Sequence, residues 1–198
     1  QLASASAQEI ADMTGRSDIE GGGIKITYNP AAPVAEQVVR FRLDNPIKDR
    51  ETDRSIRYLT PPGQRNSLFV PEGMNLSEQL VILTEGEFKA LAAHQRGIRC
   101  LAVAGIWNWR SGSEFENMKV SDHDAMIQEL QRDWTGQKVC LIFDSDIDLA
   151  HPGWAAFSRL AEQFYARGAT RDKSSTLLTL KCYGSELAEQ KGGGVEFV

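Results

Sequence analysis

Short apolar runs separated by helical stretches dominate the second half of this chain and restrict the folds open to it. The runs cover residues 80–84, 98–104, 138–143 and 176–182. Helices are predicted between and after them, at 87–96, 122–134 and 152–167. Gly97 and Gly168 are placed to end two of these helices, and Ser121 to begin another. Because a strand–helix–strand unit crosses over with a right hand and joins parallel strands, this order predicts an α/β domain with a parallel sheet of about four strands flanked by helices.

The first part of the chain has a different pattern. Residues 1–20 show a weak helical pattern, which the run Gly21-Gly22-Gly23 ends. Short stretches of β character follow at 24–28, 38–43, 56–59 and 67–70. The turn signals between them are Asn29-Pro30, Asn45-Pro46 and Pro61-Pro62-Gly63. We therefore predict an N-terminal helical segment, a small and mostly antiparallel β-rich subdomain with its linker, an α/β domain and a flexible tail. Their bounds are 1–20, 21–79, 80–184 and 185–198.

Composition and charge exclude several classes of protein. No apolar run approaches the roughly 20 residues that span a bilayer, and no secretory signal is recognisable, so we expect a cytoplasmic protein without a membrane partner. The net charge of −5 argues against a broad basic surface that grips DNA. It leaves open an enzyme that holds phosphates through bound cations. The chain begins with Gln1 rather than Met, and we expect it to be a fragment of a longer protein.

The cysteines and histidines show no metal-ligand spacing. Cys100, Cys140 and Cys182 are widely separated and form no Cys-x-x-Cys pair, so reduced thiols are expected rather than a zinc site. The histidines lie on predicted helices or loops and are expected at the surface; they are His94, His123 and His151.

Carboxylates directly follow two of the predicted strands. The first strand continues into Glu85-Gly86, and the third continues into Asp144-Ser145-Asp146. In an open parallel sheet, ligands bind beyond the carboxyl ends of the strands, so these acids are expected to meet at one edge. The alternative for Glu85 alone is that it caps the following helix. The two acidic strand ends together are stronger evidence for a site than either alone.

Three converging carboxylates require a cation. Two carboxylates about 5 Å apart repel each other by roughly 3 kcal/mol at an effective dielectric of about 20. Mg²⁺ (or Mn²⁺) suits such a site, since it prefers carboxylate, water and phosphate oxygens. The predicted ligands are Glu85, Asp144 and Asp146. Asp148 extends the run, either as an outer ligand or as a loop residue before the next helix.

This combination resembles the TOPRIM domain of bacterial-type primases, type IA and type II topoisomerases, old-type nucleases and recombination proteins. The resemblance rests on Leu83-Thr84-Glu85-Gly86 and on the later strand with Asp144-x-Asp146. The longer segments 85–91, 103–109 and 142–146 are similar to the TOPRIM-like domains of phage, plasmid and mobile-element proteins, which are often joined to helicase-type modules. The likeness covers residues 80–182, and the preceding stretch around Pro61-Pro62-Gly63 also resembles that subgroup.

The resemblance implies a Rossmann-like parallel sheet and a role for each matching residue. Glu85 matches the general acid or base, Asp144 and Asp146 the metal ligands, and Gly86 the glycine that lets backbone approach the site. In cellular primases an aspartate follows the glutamate by four positions, whereas this chain has Lys89. That departure puts primer synthesis in question. Lys89 is predicted to contact a phosphate or to pair with a site carboxylate, the alternative being a solvated helix residue.

A Trp- and Arg-containing loop follows the second strand at the same edge. Trp107, Trp109 and Arg110 are candidates for stacking on single-stranded bases and contacting phosphate. The alternative is that both tryptophans pack the loop onto the β-rich subdomain, which we favour for one of them.

These observations lead to three hypotheses about function. The first is metal-dependent phosphoryl transfer on DNA or RNA, primase-like or nuclease-like, in a replication or mobile-element protein with single-stranded substrate and a helicase-type domain or partner. The second is a non-catalytic TOPRIM-like module that binds nucleic acid or nucleotide beside a helicase. The third is a phosphatase of the haloacid-dehalogenase type, whose site also begins with strand-Asp-x-Asp, although there the pair ends the first strand.

Overall fold

The computed structural model describes residues 1–49, 51–74, 76, 79–111, 126–143 and 153–170. The chain divides into two compact units, Gln1–Asn66 and Ser67–Val198. The first contains an antiparallel sheet, and the second contains a small parallel sheet flanked by helices. The predicted mixed α/β class with a β-rich front is therefore confirmed.

Four strands, one α-helix and one 3-10 turn (Val34–Glu36) make up the first unit as described. The sheet has the order β1-β2-β3-β4, with each neighbouring pair antiparallel. Its strands are β1 (Leu2–Ala5), β2 (Gly23–Thr27), β3 (Val39–Lys48) and β4 (Ser55–Leu59). Helix α1 (Ala7–Thr14) lies between β1 and β2, and the Ser6 hydroxyl caps it by accepting the Glu9 N–H at 3.2 Å.

The helix packs on one face of this sheet. Val39, Phe41 and Leu43 alternate with half-buried arginines along β3, and they join Ile10 of α1 in one buried cluster. Apolar and polar residues that alternate in this way place one face of a strand in the core.

Two predictions for this unit are wrong. Residues 2–5 were expected in a helical segment but form an edge strand. Three of the four residues in this strand, Leu-Ala-Ser-Ala, are exposed, so it lacks the alternation of buried and exposed residues that is typical of a half-buried strand. The turn expected at Asn45-Pro46 lies inside β3, which continues to Lys48. The pairing of β3 with β4 shifts register between Arg42 and Ile47, and such an irregularity accommodates a proline that has no N–H to donate.

The second unit has a central strand with a parallel neighbour on each side. The described strands are β5 (Leu80–Glu85), β6 (Cys100–Val103) and β7 (Lys138–Ile142), in the order β6-β5-β7. The described helices are α2 (Glu87–His94) and α3 (Gly153–Ala166). The fourth predicted strand, at 176–182, and the tail at 185–198 lie outside the described residues.

The core of this unit forms from one face of the sheet, α3 and the segment before β7. Val81, Leu83 and Val103 contribute from the strands, and Leu160 and Phe164 contribute from α3. Trp134 is 1 % exposed, meets Phe164 edge to face with ring centroids 5.0 Å apart, and donates its indole N–H to the carbonyl of Leu130 at 3.0 Å.

The helix predicted at 122–134 is wrong over its described part. Met126 pairs with Arg110 in an antiparallel bridge, and only a 3-10 turn follows, at Gln128–Leu130. The Ile127 N–H donates to the carbonyl of Trp109 at 2.9 Å, so tertiary pairing takes up a backbone donor that a helix would use internally. Ser121 and residues 122–125 lie outside the described part.

The predicted strand at 67–70 is reduced to a single bridge. Phe69 and Ala102 exchange backbone hydrogen bonds of 2.8 and 3.0 Å, which covers the outer edge of β6. Within the described residues, no helix combines the length and apolar character needed to cross a bilayer.

Candidate functional site at the carboxyl edge of the parallel sheet

Glu85 is the last residue of the central strand. It pairs with Val103 on β6, and the residue before it, Thr84, pairs with Ile142 on β7. Since all three strands run in the same direction, their carboxyl ends meet at one edge of the sheet. The Glu85 side chain is half-buried there.

Gly86 turns the chain from β5 into α2. Its backbone has φ +90° and ψ 130°, and its N–H donates to the carbonyl of Val103 at 2.9 Å. An added Cβ would meet nothing within 4 Å, so the requirement for glycine comes from the backbone angle and not from crowding. Gly86 also holds the N-cap position of α2, which places Glu85 one residue before the capping position.

The first turns of α2 carry two further charged side chains. Lys89 is exposed and lies one helical turn beyond Glu85. Glu87 is 1 % exposed, at the helix N-terminus, where the peptide dipoles favour a negative charge. Glu87 is not among the predicted site residues. Its position in the first helical turn was visible in the sequence, but its burial was not, since acidic residues there are usually solvated.

The Trp- and Arg-containing loop begins as an ordered turn. The Asn108 N–H donates to the carbonyl of Gly105 at 2.8 Å, and the Arg110 N–H donates to that of Trp107 at 3.3 Å. Trp109 is 4 % exposed and belongs to the core of the second unit, whereas Trp107 is half-buried. Packing therefore accounts for Trp109, and its ring would have to leave the core to stack on a base.

The three predicted aspartates, Asp144, Asp146 and Asp148, lie outside the described residues. The described chain reaches Phe143, whose ring is buried and meets Phe157 of α3 edge to face at 5.6 Å. In the part of the chain that the structure covers, no group of three or more His, Cys, Asp or Glu side chains is arranged to hold a metal ion.

The two described cysteines are separated by the central strand. Cys100 on β6 and Cys140 on β7 both pair with Ile82 on β5, so two strand spacings of about 4.8 Å lie between their backbones. That separation exceeds the reach of a disulfide. Burial, with a smaller contribution from Cys140, raises the pKa of the Cys100 thiol to about 12. Such a thiol stays protonated and is a poor nucleophile and metal ligand.

The fold and this edge define a class: an α/β protein whose central parallel strand ends in a glutamate that is followed by a glycine with a positive φ. The comparison with family models gives a more specific result. Residues 74–181 match the family described as a domain of unknown function (DUF3854), and because the match covers more than half of the chain, the chain belongs to that family. No curated protein and no solved structure gives a significant match.

Proposed function

We propose that the second unit is a TOPRIM-like domain that catalyses metal-dependent phosphoryl transfer on nucleic acid. One observation carries the proposal: Glu85 ends the central strand beside the strand that leads into Asp144-Ser145-Asp146. The TOPRIM resemblance pairs these same two strand ends. The proposal includes a cytoplasmic setting and a helicase-type domain or partner, as in the mobile-element proteins that the sequence resembles.

Strand pairing supports the convergence of the acids. Ile142 is paired with Thr84, at a strand spacing of about 4.8 Å. The end of β7 therefore lies beside the end of β5, where Glu85 stands, and Asp144 follows Ile142 by two residues in the sequence.

The available donors fit a hard divalent cation. Glu85, Asp144 and Asp146 offer carboxylate oxygens, with Asp148 next in the chain, and this donor set suits Mg²⁺ or Mn²⁺ better than zinc or copper. When bound, such an ion neutralises charge that develops on the transferred phosphate and orients the attacking oxygen.

Glu85, Gly86 and Lys89 have different roles in the proposed reaction. Glu85 accepts a proton from an attacking hydroxyl or donates one to a leaving oxygen, which typically contributes about 10²- to 10⁴-fold in rate. Gly86 fixes the backbone at the base of Glu85 through its bond to Val103. Lys89, exposed one turn further along α2, supplies a positive charge for a substrate phosphate.

A second candidate is a TOPRIM-like module that binds nucleic acid or nucleotide without turnover. The observation that favours it is Lys89, which replaces the aspartate of cellular primases and is exposed on α2. A lysine cannot serve as a metal ligand in that aspartate's place. The net charge of −5 points the same way.

One experiment separates these candidates. The whole chain is incubated with Mg²⁺ or Mn²⁺, nucleotides and labelled single-stranded DNA or RNA, and both extension and cutting are measured. Glu85→Gln should reduce turnover by about 10²- to 10⁴-fold, and Asp144→Ala should abolish it. Glu162→Gln, at an exposed position on α3, serves as the control and should behave like wild type. Wild-type activity indistinguishable from that of Asp144→Ala would reject catalysis.

A further inference from the structure

We propose that the turn from Gly105 to Arg110 is a recognition site for single-stranded nucleic acid. Trp107 stacks on an unpaired base, and Arg110 binds the neighbouring phosphate. The identity of the ligand rests on the function proposed above, whereas binding at the turn can be measured without any turnover.

The turn is fixed at both ends. It begins two residues after the end of β6, two hydrogen bonds close it internally, and its last residue, Arg110, forms a bridge with Met126. Trp109, within the turn, is buried in the core and accepts a backbone hydrogen bond from Ile127 at 2.9 Å. A site that is ordered before its ligand arrives loses little conformational entropy on binding.

Trp107 and Trp109 both lie beside the Arg110 guanidinium, but they have different roles in the proposed site. The Arg110 guanidinium lies 5.9 Å from the ring centroid of Trp109 and 6.0 Å from that of Trp107. Both distances fall within the range of a cation–π interaction. The ring of Trp109 is buried and contacts the guanidinium within the protein. The half-buried Trp107 is the ring that can receive a base, with Arg110 beside it for a phosphate oxygen.

The position of the turn connects it with Glu85. The turn begins two residues after Val103, the end of β6, and Val103 is paired with Glu85. The turn and Glu85 therefore both follow the carboxyl ends of neighbouring strands at the same edge of the sheet.

This site should discriminate between single and double strands. In a duplex the faces of each base are covered by neighbouring base pairs, and only an unpaired base can place a face on a tryptophan. Phosphate contacts by Arg110 add affinity without reading sequence. The expected ligand is single-stranded DNA or RNA of any sequence.

The test is a binding measurement on the whole chain in EDTA, which removes turnover. Anisotropy of a labelled oligonucleotide is compared for a single strand and its duplex. Trp107→Ala should weaken single-strand binding by about 5- to 150-fold, as expected for the loss of one stacked base. Trp154→Phe serves as the control, since Trp154 is partly buried on α3 and stacks on Phe157.

Two conservative variants protect the test against misfolding. Trp107→Phe should retain most of the affinity but lose the quenching of tryptophan fluorescence by single strands. Arg110→Ala should reduce the magnitude of the slope of log K against log salt concentration by about 0.7, and Arg110→Lys should retain the slope. Circular dichroism checks that each variant is folded.

The outcomes separate this inference from the proposed function. Binding in EDTA that depends on Trp107, without any Glu85-dependent turnover, would support this site and reject the proposed catalysis. Turnover that depends on Glu85, with single-strand binding and quenching unchanged in both Trp107 variants, would reject this site alone. Absent binding, or equal affinity for the duplex, would also overturn it.

Discussion

The backbone N–H of Gly86 donates to the carbonyl oxygen of Val103 at 2.9 Å, and this bond ties the first residue after the central strand to the end of its neighbour. Glu85 stands immediately before this bond and is itself paired with Val103. The bond is one of the two that define a parallel pair between Glu85 and Val103, so the backbone of the candidate acid or base is held by the last pair of the β5–β6 ladder. Restraint of this kind is what positions a catalytic side chain for reaction.

Replacing Gly86 by alanine should therefore affect both stability and the site. An alanine at φ +90° and ψ 130° is strained by about 1–3 kcal/mol, although space for its Cβ is available. We expect the free energy of unfolding to fall by about that amount and turnover to fall further, because relief of the strain moves Glu85. Urea denaturation and the cutting or extension assay measure the two effects.

Gly97→Ala provides the matched control. Gly97 also has a positive φ of +76° with open space around its Cβ, but it follows the other end of α2. It should lose roughly 1–2 kcal/mol of stability and no turnover per folded molecule. Equal losses of turnover in the two variants would show that Gly86 has no special relation to the site.

Trp134 should be the most costly side chain to truncate in the segment before β7. It is fully buried between Leu130 and Phe164, and the Arg132 guanidinium lies 3.9 Å from its ring centroid. Trp134→Ala should destabilise the chain by about 3–5 kcal/mol, as large-to-small aromatic replacements in cores do. Chemical denaturation followed by circular dichroism measures the change.

Trp154→Ala is the comparison for this truncation, because Trp154 is only partly buried in the same core. Its replacement should cost clearly less. A smaller loss for Trp134→Ala than for Trp154→Ala would contradict the packing described for the segment 126–134.

The elements that the sequence predicted correctly are those governed by local pattern. Three of the four apolar runs correspond to β5, β6 and β7, and Gly97 adopts the positive φ of a helix C-terminus. The prediction of a helix up to Trp134 was wrong. Apolar residues at helical spacing can also be buried by an extended segment that pairs with a distant part of the chain. Met126 pairs with Arg110, and this pairing overrides local helical preference.

The position of the candidate site in the sheet was predictable from the sequence, because it depends on the direction of the strands. Parallel strands place their ends together, so the location of Glu85 beside the end of β7 followed from the strand–helix order. Side-chain burial did not follow. Trp107 and Trp109 are near neighbours in sequence with different environments, and only the three-dimensional contacts distinguish them.

Cys100 should make the protein sensitive to alkali. Burial raises its folded-state pKa from the ordinary 9.0 to about 12, so above pH 9 the unfolded chain releases a proton that the folded chain retains. The corresponding stability is complete below pH 9 and is lost as the pH rises toward 12. Cys100→Ala should therefore flatten the decline of the urea midpoint in this window.

Cys140→Ala is the internal comparison for the alkaline effect. Burial also raises the pKa of Cys140, but that thiol is less buried, and its removal should flatten the decline less. Parallel pH profiles for wild type and Cys100→Ala would mean that Cys100 ionises equally well in the folded and unfolded chains.

Divalent cations should stabilise the folded chain through the proposed metal site. A ligand that binds only the folded state at 100 times its Kd adds about 2.7 kcal/mol, and the proposed convergence of Glu85, Asp144 and Asp146 would give Mg²⁺ or Mn²⁺ that preference. Thermal unfolding in increasing MgCl₂ should show a rising Tm for wild type and a much smaller rise for Asp144→Asn and Asp146→Asn. Asp12→Asn, at an exposed position on α1, should retain the full rise.

Since removal of one carboxylate also relieves repulsion, the two site variants should be more stable than wild type in EDTA and less stable in Mg²⁺. A Tm that rises equally in all four proteins would reflect general screening by salt and would remove the metal from the proposed site.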